Sequence, residues 1–83
     1  MTMTTNPTNP SASEVIRRIE ARGNTVVALY LGSEAYIVLA GVPGPQGYAT
    51  WVANLQGDTF SGHYFDTLAA AEADFLMRQG RGY

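Results

Sequence analysis

The single histidine of the chain, His63, lies in the stretch Ser61-Gly62-His63-Tyr64-Phe65-Asp66, which brings a serine, a histidine and a carboxylate close together in sequence. Those residue types could build a nucleophilic relay, but their spacing argues against it. Ser61 and His63 stand at i, i+2 of one extended segment, with no strand-to-helix elbow at the serine and no evident oxyanion hole. Asp66 and Thr67 precede an alanine-rich run and read as alternatives for a helix cap rather than as a base. A lone imidazole also offers too few ligands for a metal, and no His-x-x-x-His or His-Glu pattern accompanies it. Glu72 and Asp74 are i, i+2 on a helix and point apart. Gly41, Gly44 and Gly47 flank Pro43 and Pro45 without the lysine and following helix of a phosphate loop. The chain contains no cysteine, which removes disulfides, thiolate ligands and cysteine nucleophiles together. No catalytic residue, metal ligand or cofactor is therefore assigned, and the chain reads as non-enzymatic.

Binding chemistry has more to draw on. Arg17, Arg18 and Arg22 form the one basic cluster, suited to phosphate or to an acidic protein surface, although a solvated helix face explains them as well. All five basic residues are arginine and the net charge is −2, so there is no strong nucleic-acid footprint. Tyr30, Tyr36 and Tyr48 with Trp51 suggest a base-stacking sheet, but that mode interleaves basic residues among the aromatics and these segments have none. Nucleic-acid binding through the three arginines is thus the second reading. A small-molecule pocket or an enzymatic site around His63, Tyr64 and Trp51 is the third.

The elements that must position these residues follow from periodicity. Residues 1–10 are Thr, Asn and Pro apart from Met1 and Met3, and read as a flexible arm. Ser11-Ala12-Ser13-Glu14 matches a capping box, after which Val15, Ile16 and Ile19 fall on one helical face and Gly23 provides the stop. From Thr25 the period changes to two. "TVVALYL" and "AYIVLAGV" form a hairpin around Gly32-Ser33-Glu34, and "VPGPQG" is a loop. Tyr48 to Leu55 and Thr59 to Phe65 form a second hairpin turning at Gly57-Asp58. A helix over "TLAAAEADFLMRQ" then runs to Gly80. One α+β domain over residues 11–80 results, in the order αββββα, with residues 81–83 as a tail.

Three residues in the first hairpin loop put Val27, Leu29, Leu31, Ile37 and Leu39 on one face. The two-residue turn adds Trp51, Ala53, Leu55, Phe60 and Tyr64 to it, with Gly62 leaving room for a helix. Val15, Ile16 and Ile19 together with Leu68, Ala71, Phe75 and Leu76 would cover that face, so both helices are expected on one side of the antiparallel sheet. The opposite face would carry Tyr30, Tyr36, Val38, Tyr48, Thr50, Val52 and His63 without a formal charge. Solvated faces alternate in charge, whereas interface cores are depleted of it and rich in tyrosine. That face is therefore expected to bind a protein partner or a second copy, as a homodimer.

In format, the small size, the lack of cysteine, the αββββα plan and the missing catalytic set resemble the accessory proteins of phages and mobile elements, anti-CRISPR proteins among them. The resemblance implies an inhibitor that occludes a partner's working surface, and it carries over no residue. No run approaches the roughly 18 apolar residues of a membrane span, and the N-terminus lacks the basic start and apolar centre of a signal peptide. A cytoplasmic location is the expectation.

Overall fold

A computed structural model of the chain describes residues 12–32, 34–45 and 47–81. The expected arm, the capping residue Ser11 and the last two residues lie outside that range. Helix α1 spans Ala12–Glu20, strands β1 to β4 span Thr25–Leu31, Tyr36–Gly41, Tyr48–Ala53 and Thr59–Phe65, and helix α2 spans Leu68–Arg81. The four strands form one antiparallel sheet in the order β1-β2-β3-β4, an α+β arrangement of the form αββββα.

Local chemistry accounts for most boundaries. Gly23 takes the left-handed conformation at φ 95° after α1, and the Asn24 side chain donates to the Ile19 carbonyl, which also accepts from the Arg22 N–H, closing the last turn. Thr67 caps α2: its Oγ1 accepts from the Ala70 N–H at 3.2 Å, so the threonine and not Asp66 does this. Gly80 does not stop α2, which continues through it to Arg81.

The two helices lie on opposite faces of the sheet, which corrects the expectation of one covered face. Val15 and Ile19 of α1 pack with Tyr36, Val38, Ala40, Ala49, Trp51 and Ala53. Ala71 and Phe75 of α2 pack with Ile37, Leu39 and Val52 on the other side. The reason is register. Leu31 pairs with Tyr36 and Leu29 with Val38, one residue away from the three-residue-loop pairing, so Leu29 and Leu31 join the even-numbered residues of β2. A bulge between Val26 and Ala28 adds a further slip. In the second hairpin Ala53 pairs with Thr59 and Val52 with Phe60, which leaves a longer turn than Gly57-Asp58 alone. A second bulge, opposite Trp51, puts Ser61 at φ 56° and returns Tyr64 to the Trp51 face.

Gly62 has a different use from the one expected. A Cβ there would lie 2.9 Å from the Trp51 indole, so the glycine admits the ring of its own sheet neighbour and not a helix. Trp51 and Tyr64 meet edge to face at 6.4 Å, with Trp51 Nε1 donating to the Tyr64 hydroxyl.

Candidate functional site

The expected interface does not exist as one surface. Tyr36 and Val38 face α1, at 6% and 0% exposure, while Thr50 and Val52 are buried on the α2 side. Tyr48 is half-buried against the α2 cluster. Of the seven residues named, only Tyr30 and His63 are exposed to solvent, and they lie on the two opposite edge strands. The lack of charge among the buried residues of that set goes with a helix covering each face.

His63 belongs instead to a polar cluster that the α2 side of the sheet builds around Asp74. One carboxylate oxygen, Asp74 Oδ2, accepts from Thr50 Oγ1 at 2.5 Å, His63 Nδ1 at 2.9 Å and Arg78 Nε at 3.2 Å. Arg78 is 2% exposed and also donates through Nη2 to the Ser61 carbonyl, which ties α2 to the bulge of β4. Burial pushes the Asp74 carboxyl up. The hydrogen bonds from Thr50 and His63, with the charges of His63 and Arg78, outweigh it and hold the group below its ordinary value. With Asp74 ionised, His63 Nδ1 is the donor, and the outer ring nitrogen stays clear of the cluster on a side chain that is 47% exposed.

An oriented Asp–His pair is part of a proton relay, but the rest of the relay is missing among the described residues. Thr50, the hydroxyl that shares Asp74 with His63, spends its proton on the carboxylate and makes no bond to the imidazole. The described residues hold no group of three metal-ligating side chains. The cluster's evident work is to fasten α2 to β3 and β4. Sequence reasoning set Asp74 aside and gave Arg78, on the last helix, no role. The signal was available: Ala71, Asp74, Phe75 and Arg78 follow i, i+3, i+4, i+7, so the two charges share the stripe that faces the sheet.

The arginine cluster is likewise engaged within the fold. Arg17 and Arg18 both donate to Glu14, whose carboxyl is held below its ordinary value first by the Arg17 bond and then by the Arg18 bond. Arg18 also donates to the Gln56 carbonyl at 2.7 Å, and Arg22 to the Gly57 carbonyl at 2.6 Å. Arg18 and Arg22 clamp the β3–β4 turn to α1 and the segment after it, while Arg17 is held by Glu14 on its own helix.

The large apolar side chains left exposed lie on the two edge strands and on α2, where Met77 is one of them. Val27, Tyr30 and Leu31 of β1 are exposed, as are Phe60 and Tyr64 of β4 and Leu76 of α2. Between β1 and α2 runs a groove of about 380 Å³, lined by Val27, Ala28, Leu39, Glu72, Phe75 and Leu76. Glu72 is its one charged group. Sequence reasoning placed Leu76 in the core, yet it is 63% exposed at the groove. Comparison with protein-family models, curated proteins and solved structures returned no match. No described helix is long and apolar enough to cross a membrane.

Proposed function

We propose that this chain is a non-enzymatic interaction module that acts by binding another macromolecule through the apolar side chains of its sheet edges. The observation that carries the reading is the exposure of Phe60 and Tyr64 on β4 and of Val27, Tyr30 and Leu31 on β1. Neither strand contains lysine, arginine, aspartate, glutamate or proline, and among the described residues the edges are guarded only by one bulge each and by Glu20 on the Val26 N–H. Interfaces draw on the same residue types, aromatic and uncharged. In its concrete form the module is a cytoplasmic inhibitor of the anti-CRISPR kind, blocking a partner's working surface by occupying it.

The catalytic alternative at His63 finds no hydroxyl bonded to the ring among the described residues. The nucleic-acid alternative asks for Arg18 and Arg22, which already hold the β3–β4 turn, and for Arg17, which is paired with Glu14. The test is capture of partner from the native host by the immobilised chain, comparing wild type with Phe60→Asp and His63→Ala. Phe60→Asp should weaken capture about tenfold or more while leaving the unfolding midpoint in place. Loss of capture with His63→Ala alone, and none with Phe60→Asp, would point away from the edges.

A further inference from the structure

We infer that β1 is a self-association edge, on which two copies of the chain pair their β1 strands antiparallel about Leu29 and seat each Tyr30 in the other's groove. The inference goes beyond the preceding reading, because it leaves Phe60 and Tyr64 on β4 free for a different partner.

The backbone fixes which residues can pair. Gly32 donates its N–H to the Ala35 carbonyl at 2.8 Å, and in an antiparallel ladder the hydrogen-bonded pairs alternate. Tyr30, opposite Ile37, therefore turns its backbone groups toward β2, whereas Leu29 and Leu31 turn theirs outward. With β1 at the sheet edge, those outward groups have no ladder partner in the sheet. An extended strand is the occupant that satisfies them.

The side chains select the register. A two-fold axis normal to the sheet keeps each face continuous, so residues directly opposite share a face, except at the bulged Val27, which falls opposite the partner copy's Leu31 and ends the regular pairing there. Centring on Tyr30 would stack the two tyrosines on each other. Centring on Leu29 sets Tyr30, 38% exposed, directly across from the partner copy's Ala28, where neighbouring Cβ atoms come within about 5 Å. Ala28 is a floor residue of the groove between β1 and α2. A bulky ring thus meets a small residue beside an apolar hollow, and the match is reciprocal.

Helix placement explains why the hollow is open. A helix is about 10 Å across and strands are about 4.8 Å apart, so one helix covers roughly two strands. The principal contacts of α2 are with β2, β3 and β4, and those of α1 are with β1. On the α2 side β1 is consequently covered only in part, at Ala28. Charge favours a second copy as occupant. The strand "TVVALYL" itself carries no ionisable carboxylate, lysine or arginine. The carboxylate bound to it, Glu20 on the Val26 N–H at 3.0 Å, lies at its start and falls opposite the partner copy's Gly32, so no like charges are directly opposed. The one charged group in the groove, Glu72, is an acceptor for the incoming tyrosine hydroxyl.

The experiment combines sedimentation velocity over a concentration series with site-directed cross-linking, which the cysteine-free chain makes clean. Wild type should pass from monomer to dimer as concentration rises, and Tyr30→Lys should weaken the dimer about tenfold or more without moving the unfolding midpoint. Leu29→Cys should form an interchain disulfide under mild oxidation by oxidised glutathione, since Cα atoms of such a pair stand about 5.5 Å apart. Thr25→Cys, outside the paired segment, should not. A wild type that stays monomeric at every concentration overturns the inference. So does a dimer that persists in Tyr30→Lys and gives no disulfide at position 29. Either result leaves the Phe60 capture test standing on its own.

Discussion

At the scale of single residues, Asp74 decides how α2 sits on the sheet. Three donors converge on one of its oxygens, and the cation beside it is buried. A carboxyl held below its ordinary value contributes stability above the ordinary carboxylate range, and that contribution drains away as pH falls through it. The chain should therefore lose stability on acidification below about pH 4, and Asp74→Asn should flatten that limb while costing about 2–3 kcal/mol at neutral pH. Urea midpoints at pH 7, 5 and 3, at unchanged m-value, measure it. Parallel pH dependence in the two proteins would remove Asp74 from this role. The same residue marks what the sequence disclosed and what it withheld. The helical stripe through Ala71, Asp74, Phe75 and Arg78 is visible in the letters, but His63 and Thr50 reach it only because the β4 bulge and the β3 register bring them to the α2 face.

At the scale of elements, periodicity identified each helix and strand, and the Trp51–Tyr64 neighbourhood with them. What it did not settle was which sheet face each strand's odd and even residues occupy. In "YIVLAG" and "YATWVA" apolar residues occupy both parities, which is the mark of strands covered on both sides. An uncharged second face was read as an interface, yet a second helix satisfies the same pattern. Bulges at Val27 and opposite Trp51 then shifted the parity along the edges, and neither leaves a clear signature in composition. The β3–β4 turn shows the opposite case, where a residue type is dictated by contact. Gly57 has φ 88°, and a Cβ on it would sit 3.0 Å from Arg18 Cβ. Gly57→Ala should cost about 1–3 kcal/mol, from the left-handed backbone together with the push against α1. A thermal or urea unfolding curve checks this, and a neutral substitution would show that the clamp between α1 and the turn is loose.

At the scale of the whole molecule, the sheet is closed on both faces by the chain's own helices, and its apolar surplus is left at the two edges. Each helix covers only part of the sheet, so the residues left over are Tyr30 and Leu31 at one margin and Phe60 and Tyr64 at the other. Association at an edge preserves the core that the monomer already has, which suits a chain too small to spare buried surface. The most direct measurement is oxidative footprinting of the tyrosines across a concentration series, with modification read residue by residue by mass spectrometry. If the edges carry association, Tyr36 at 6% exposure stays unmodified throughout, while Tyr30 at 38% is modified when dilute and protected when concentrated. Modification of Tyr36 as readily as Tyr30, or Tyr30 labelling that never changes with concentration, would contradict it.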